Sequence, residues 1–69
     1  MTLTRDQTVI IDYTNYRGER RERRVRPVEI FYGESPWHNG PQWFLRVEDD
    51  EKNQRRDFAM SEIHGWRSA

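Results

Sequence analysis

The sequence predicts an all-β domain of about five short strands, arranged as a small barrel or a strongly bent sheet, with one short helical turn near the C-terminus. Short apolar stretches recur with the two-residue alternation of half-buried strands. Clusters of glycine, proline, asparagine and aspartate separate these stretches, as turns do. The chain has 69 residues and no cysteine, so its three Trp, three Tyr and three Phe must supply much of the core.

The first predicted strand covers residues 8–14. Val9, Ile11 and Tyr13 lie on one side of it, and the residues between them lie on the other. Residues 15–18 read Asn-Tyr-Arg-Gly, a composition typical of a tight turn in which the glycine adopts a positive φ. A hairpin is therefore expected at this point in the chain.

Residues 19–26 fit two kinds of structure. Glutamate and arginine residues four positions apart suit a helix. However, Pro27 disfavours the helical conformation at Arg26, and Val25 is the only apolar anchor in the segment. We interpret the segment as the return strand of the hairpin, and we predict a separate strand over residues 28–32.

The next signals are a loop and the clearest core strand. Residues 33–41 contain two prolines and two glycines, which predicts an irregular loop. Residues 42–47 alternate again, and we expect the face that begins with Trp43 to point inwards and the face that begins with Phe44 to point outwards. The acidic stretch over residues 48–53 is predicted to form the following turn.

The C-terminal segment contains the last predicted strand, over residues 55–60. Arg56 falls on the same side of this strand as Phe58, so its guanidinium must reach the rim of the fold or find a buried partner. Residues 61–65 are predicted to form one helical turn, and Trp66 is expected to close the end of the domain.

The charges are balanced in number but unevenly placed. The 12 basic residues, 11 of them arginine, equal the 12 acidic ones. Residues 17–26 hold six arginines and two glutamates, whereas residues 48–51 are all acidic. Such an arginine stripe can bind phosphate, because an anion senses charges within about 8–10 Å at physiological salt rather than the net charge. Arginine also suits planar recognition of phosphate or a base.

Several functional classes are excluded. The longest apolar run, residues 9–11, is far shorter than the about 20 residues of a membrane span or the roughly 7–15 of a signal peptide. We therefore expect no membrane partner, and the lack of cysteine fits a cytoplasmic protein. Ser35 and Ser61 lie in no nucleophile motif, and His38 and His64 match no metal-ligand spacing. We expect no enzyme activity, no metal and no cofactor.

The order of these signals resembles the WYL domain family, which is named for a Trp-Tyr-Leu tripeptide. The resemblance covers about residues 8–64. The residues that carry it are Tyr13, Gly18, Arg24-Val25-Arg26-Pro27, Trp43-Phe44-Leu45, Arg56-Asp57-Phe58-Ala59-Met60 and Ile63. It implies an SH3-like or Sm-like β-barrel. WYL domains usually follow a helix-turn-helix in bacterial transcription factors and sense ligands or nucleic acids, often in phage defence or DNA-damage responses.

The sequence departs from the family pattern at three positions. Phe44 replaces the tyrosine of the tripeptide, while Ala59 and Glu62 stand where the family often has arginines. A carboxylate in such a place repels phosphate, so the resemblance implies an altered or lost ligand site. We expect a flexible lead-in over residues 1–7, too short for a helix-turn-helix, and a single stand-alone domain over residues 8–69.

The preferred function is a small cytoplasmic regulatory module that binds an anionic ligand, either single-stranded nucleic acid or a nucleotide. Guanidinium groups would pair with phosphates while an aromatic ring stacks on a base. The expected binding residues are Arg24, Arg26, Phe44, Arg46, Arg56 and Trp37.

Each of these assignments has a structural alternative. The stripe can be a charged edge strand that resists pairing with other sheets, and Arg56 can form a salt bridge. Barrel curvature can bury Phe44, and Trp37 can cover the barrel end. The alternative function is a protein-interaction module that pairs with itself or with a helix-turn-helix regulator through oppositely charged faces. Fold analogy alone also permits an aromatic-cage reader of the chromo or Tudor kind.

Overall fold

A computed structural model describes residues 7–36 and 38–69. It contains one five-stranded antiparallel sheet with the strand order β4-β3-β2-β1-β5. The strands are β1 (Val9–Thr14), β2 (Arg20–Gly33), β3 (Gln42–Asp49), β4 (Gln54–Ala59) and β5 (Ile63–Ser68), and a 3-10 turn (Met60–Glu62) precedes β5. The prediction of an all-β fold with one short helical turn is confirmed. The predicted lead-in lies outside the described residues except for Gln7.

Strand β2 combines two segments that the sequence predicts as separate strands. Pro27 has no backbone N–H to donate to the neighbouring strand, but it does not end β2. The strand accommodates it with a register shift between Pro27 and Glu29. The first half of β2 pairs with β1, and the second half pairs with β3. One long strand therefore joins the two halves of the sheet.

The sheet bends strongly around its core. The rings of Tyr13 on β1 and Phe58 on β4 stack with centroids 4.0 Å apart, although two strands lie between them in the sheet. In a flat sheet, three strand spacings would separate them by roughly 14 Å. The buried core consists of Val9, Ile11, Tyr13, Val25, Leu45, Val47 and Phe58.

The two outer strands, β4 and β5, do not pair with each other in the hydrogen-bonded order of the sheet. The sheet is not closed, so the predicted barrel is not confirmed, and the architecture corresponds to the strongly bent sheet. No helix within the described ranges is long and apolar enough to cross a membrane.

The sequence predicts that Trp43 points inwards and Phe44 points outwards. The prediction is wrong, because Trp43 is exposed and Phe44 is buried. Trp43 is 56% exposed, and Phe44 is fully buried. Trp43 lies near the end of β3, beyond the core, where its ring forms an edge contact with the Tyr32 ring at a centroid distance of 5.4 Å. Phe44 is covered on the other face of the sheet by Phe31, with ring centroids 5.4 Å apart, and by His38 of the loop before β3, at 5.2 Å.

The C-terminal strand β5 corrects a further prediction. The helical turn ends at Glu62, and the chain then pairs with β1, whereas the sequence predicts a turn over residues 61–65. Trp66 does not close the domain but remains 44% exposed on this strand. An edge strand that contains Gly65 and buries little surface has no alternating pattern from which to predict it.

Candidate anion-binding groove

An open groove of about 710 Å³ lies between the turn after β1, the loop after β2 and strand β4. A smaller cavity of about 350 Å³ adjoins it. Asn15, Tyr16, Lys52 and Arg56 line both, so the two cavities form one continuous surface. We call the larger cavity the wide groove, the smaller one the basic pocket, and the two together the groove.

The basic pocket is strongly cationic. Its cationic lining residues are Arg17, Arg21, Arg23, Lys52 and Arg56, and Glu19 is the one carboxylate among its described lining residues. Arg21 and Arg23 are two residues apart on β2 and therefore project from the same face as the core residue Val25. The bend of the sheet brings Arg56 of β4 to the same place. The fold thus gathers charges that are distant in the sequence.

Arg23 is the most unusual member of this set. Only 5% of its side chain is exposed, and its Nε and NH1 atoms have no hydrogen-bond partner among residues 7–36 and 38–69. Its NH1 atom lies 4.0 Å from Oδ2 of Asp49, too far for a hydrogen bond. Burial lowers the pKa of Arg23 from its ordinary value, and repulsion from Arg21 and Arg56 adds to this effect. Because arginine stays protonated in proteins, a buried cation is held here with unused donors.

Asp49 is the carboxylate closest to this cation. It is 2% exposed, and its Oδ2 atom also lies 3.9 Å from NH1 of Arg56. Its Oδ1 atom accepts a hydrogen bond of 3.1 Å from the backbone N–H of Glu51 in the following turn. One buried carboxylate therefore faces two arginines without hydrogen-bonding to either, which leaves an excess of positive charge.

The rim of the basic pocket supplies further cations and an aromatic ring. Arg21 and Lys52 form no ion pair with any residue in the described ranges. Tyr16 is 52% exposed, and its hydroxyl accepts a hydrogen bond of 3.2 Å from Nε of Arg17. This hydrogen bond raises the pKa of Arg17. The arrangement places an exposed ring where the basic pocket meets the wide groove.

Arg26 and Arg46, two residues predicted to bind ligand, are engaged by carboxylates. Arg26 lies 2.8 Å from Asp50, and the hydrogen bond between them raises the pKa of Arg26. Arg46 lines the wide groove, but it contacts Glu29 at 2.8 Å and Asp57 at 3.0 Å. Neither guanidinium offers an unmatched charge to an anion.

The other predicted residues have different positions. Arg24 is exposed on the outer face of β2 opposite Ile10, and it lines neither cavity. Phe44 is fully buried and cannot receive a stacking base without rearrangement. Trp37 lies outside the described residues. Arg56 lines both cavities, so it is the predicted residue that lies at the basic pocket.

Sequence reasoning missed Tyr16, Arg21, Arg23 and Lys52. A signal for two of them was present, because Arg21 and Arg23 share the parity of Val25, the apolar anchor of the segment. Two arginines at inward positions indicate a cluster with buried partners. The positions of Tyr16 and Lys52, both in turns, depend on the bend of the sheet and carry no sequence signal of their own.

The comparison with protein families identifies the chain. The sequence model of the WYL domain matches residues 2–68. The chain belongs to the WYL domain family. No curated protein matches it, and no solved structure does. WYL domains are generally linked to regulatory ligand binding in transcription and defence regulators, and the family is not known for catalysis. The resemblance drawn from the residues is therefore confirmed.

Proposed function

We propose that this WYL domain is a regulatory module that binds an anionic ligand, single-stranded nucleic acid or a nucleotide, in the groove. Phosphate oxygens pair with Arg21, Arg23, Lys52 and Arg56, and a base stacks on Tyr16. The observation that carries the proposal is the buried Arg23 beside a cationic pocket, whose Nε and NH1 donors lack partners within the part of the chain that the structure describes. The protein binds without chemical turnover, and binding signals the presence of the ligand.

The distribution of matched and unmatched charge supports this location. On the outer face of the sheet, Arg20 pairs with Asp12 at 2.9 Å and Arg26 pairs with Asp50 at 2.8 Å, whereas the exposed Arg24 has no ion pair among the described residues and lines neither cavity. In the basic pocket, Arg21 and Lys52 have no such partner among the described residues. An anion that enters the pocket therefore meets excess positive charge without first displacing a protein carboxylate from these two cations.

Guanidinium geometry and burial both favour phosphate at this place. Arginine presents a planar set of N–H donors that matches phosphate oxygens, and such charge-assisted hydrogen bonds are about twice as strong as neutral ones. The low exposure of Arg23 strengthens each of them, since little water competes. Stacking of a base on an aromatic ring adds about 1–3 kcal/mol.

The test is fluorescence anisotropy with labelled single-stranded DNA, single-stranded RNA and double-stranded DNA over a series of salt concentrations. We expect the single strands to bind most tightly, with a log affinity that falls linearly with log salt because phosphate binding releases counterions. A labelled nucleotide completes the set of probes. Absence of binding to every probe would refute the proposal.

A matched pair of variants locates the site. Arg21→Glu and Arg24→Glu change the same charge on the same strand, and both side chains are exposed. We expect Arg21→Glu to weaken binding by about tenfold or more, as loss and reversal of a phosphate contact requires, and Arg24→Glu to change it little. Equal losses would instead assign binding to the arginine stripe as a whole.

A second candidate function is a protein-interaction module. The observation that favours it is the exposed pair formed by Tyr32 and Trp43, which are 59% and 56% exposed. Aromatic side chains of this size are enriched in protein interfaces. In this alternative, a second copy of the chain or a helix-turn-helix regulator covers the pair, and the domain acts through this contact rather than through a ligand in the groove.

A further inference from the structure

We propose that the group recognised in the basic pocket is a terminal phosphomonoester, carried by a free mononucleotide or by the phosphorylated end of a single strand. The inference rests on the proposed function and specifies which part of the ligand the domain recognises. It follows from where the unmatched charge lies and from the two different halves of the groove.

Among the described residues, the unmatched positive charge of the groove lies in the basic pocket and at its junction with the wide groove. In the wide groove, Arg46 contacts Asp57 at 3.0 Å, and Arg55 lies 3.4 Å from Glu48. A run of internal phosphodiesters carries one charge per unit and needs unmatched cations along its whole path. The described residues offer such cations at the basic pocket, where Arg21 and Lys52 lie.

The basic pocket suits a group with more than one charge. A phosphomonoester has a charge of about −1.5 to −2 at pH 7 and three acceptor oxygens, whereas an internal phosphodiester has a single charge. The pocket contains two carboxylates, Glu19 at its lining and Asp49 behind Arg23. The side chain of Glu19 already accepts a hydrogen bond of 3.2 Å from Asn15. The cationic residues that line the pocket outnumber these two carboxylates, so the balance remains positive; they are Arg17, Arg21, Arg23, Lys52 and Arg56.

Burial adds selectivity for a compact dianion. The Nε and NH1 atoms of Arg23 make no hydrogen bond to any described residue, and NH1 lies 4.0 Å from Oδ2 of Asp49. A small side-chain movement toward an entering anion replaces this distant contact with direct hydrogen bonds. Because the interior screens charge weakly, a second negative charge on the ligand gains more here than on an exposed arginine surface.

The wide groove provides the place for the nucleoside. Its volume is about twice that of the basic pocket, at about 710 Å³ against about 350 Å³. Tyr16 lines both cavities, and Pro36 and His38 line the wide groove but not the basic pocket. A phosphate in the pocket thus leaves its sugar and base beside Tyr16. In the bound ligand, the charged end therefore lies in the basic pocket and the nucleoside lies in the wide groove.

The test compares single strands of one sequence that differ only at their ends: a 5′-phosphate, a 3′-phosphate, or hydroxyl groups at both ends. A nucleoside and its monophosphate extend the series. Titration calorimetry on the full chain is expected to show that one phosphorylated end binds about tenfold or more tightly than the hydroxyl-ended strand. The monophosphate should likewise bind where the nucleoside does not.

The outcomes distinguish a free mononucleotide from the phosphorylated end of a strand. They also distinguish a failure of this inference from a failure of the proposed function. A mononucleotide that binds as tightly as the phosphorylated strand identifies the free nucleotide as the ligand, and a much weaker one identifies the strand end. Equal affinity of phosphorylated and hydroxyl-ended strands would overturn this inference and leave the proposed function intact. No binding of any probe would overturn both.

A pair of variants gives a further check. Arg21→Ala is expected to remove most of the difference between phosphorylated and hydroxyl-ended strands, since it deletes an unmatched cation at the pocket. Arg24→Ala, on the other face of the same strand, should preserve the difference. A difference that survives Arg21→Ala and is lost in Arg24→Ala would overturn the assignment of the phosphate to the pocket.

Discussion

The buried Asp49 carboxylate holds together two arginines that would otherwise repel each other. It lies 4.0 Å from Arg23 and 3.9 Å from Arg56, and all three side chains are largely removed from water. Breaking a buried charge pair by neutralising one partner is costly, because the remaining charge stays desolvated. The stability of this region therefore depends on a single negative charge.

Asp49→Asn should lower the free energy of unfolding by about 2–3 kcal/mol, since both arginines lose their nearest counter-charge. Because an asparagine Oδ1 can still accept the N–H of Glu51, the turn itself is preserved. Urea unfolding followed by circular dichroism measures the change. Inorganic phosphate should restore more stability to the variant than to the wild type, by occupying the pocket of the folded state. An unchanged unfolding midpoint would contradict this account.

A second residue-scale prediction concerns pH. The hydrogen bonds from Arg20, of 3.0 and 2.9 Å, hold the pKa of Asp12 below its ordinary value of 3.8, and the nearby His64 adds to this effect. A pKa lowered by folding contributes stability above the unfolded value, and this contribution disappears as the pH falls through the folded value.

The unfolding free energies of the wild type and Asp12→Asn should therefore differ at neutral pH and converge in acid, below the unfolded pKa of about 3.8. Denaturant titrations at several pH values measure the difference. Glu22→Gln provides a comparison, because Arg67 lowers the pKa of Glu22 in the same way. A constant difference across the pH range would show that the effect of Asp12 is not electrostatic.

At the scale of the elements, the turn between β1 and β2 positions one side of the groove. The side-chain oxygen of Asn15 accepts hydrogen bonds from the backbone N–H groups of Arg17 at 2.9 Å and Glu19 at 3.0 Å. Gly18 completes the turn with a φ of +82°, a conformation that residues with a side chain rarely adopt. Local backbone geometry thus fixes where Tyr16 stands.

Gly18→Ala should reduce stability by about 1 kcal/mol, from the backbone conformation alone, because no atom lies within 4 Å of the added Cβ. It should also weaken ligand binding, since the turn carries Tyr16. Gly65→Ala is the matched control, because its φ is not positive and its Cβ would meet Asp12 only at 3.8 Å. Thermal unfolding and anisotropy measure both variants. Equal effects would argue against the backbone explanation.

Sequence patterns predict these elements unevenly, for physical reasons. The alternation of Val9, Ile11 and Tyr13 predicts β1 because the strand lies at the centre of the core, where every second side chain is buried. The burial of Trp43 and Phe44 is not predictable from alternation, because it depends on where the core ends and which face the following loop covers. At the basic pocket, the sequence predicts Arg56 as a binding residue. It does not predict Lys52, because the position of this turn residue depends on the bend of the sheet.

At the scale of the whole molecule, a neutral protein carries a locally charged pocket and a separate apolar surface. The net charge is zero, so long-range attraction of anions is weak and recognition depends on short distances. The exposed Tyr32 and Trp43 form an aromatic pair, with ring centroids 5.4 Å apart, that does not line the groove. The two surfaces can therefore be tested independently.

If the aromatic pair mediates self-association, Trp43→Ser should convert an oligomer to a monomer without changing nucleotide binding. Sedimentation velocity at micromolar concentrations measures the oligomeric state, and anisotropy measures binding. Arg21→Ala is the reciprocal variant, expected to weaken binding and leave association unchanged. A wild-type protein that is monomeric throughout would refute the self-associating form of the second candidate function.

At Arg23, the stability of the fold and the recognition of the ligand place opposite demands on the side chain. An arginine beside the core whose buried Nε and NH1 atoms have no hydrogen-bond partner among the described residues is a point of local frustration. Selection for thermal resistance alone would favour an aliphatic side chain at this position, because it removes a desolvated charge. A library enriched only for survival at high temperature should therefore lose Arg23 early and lose ligand recognition with it.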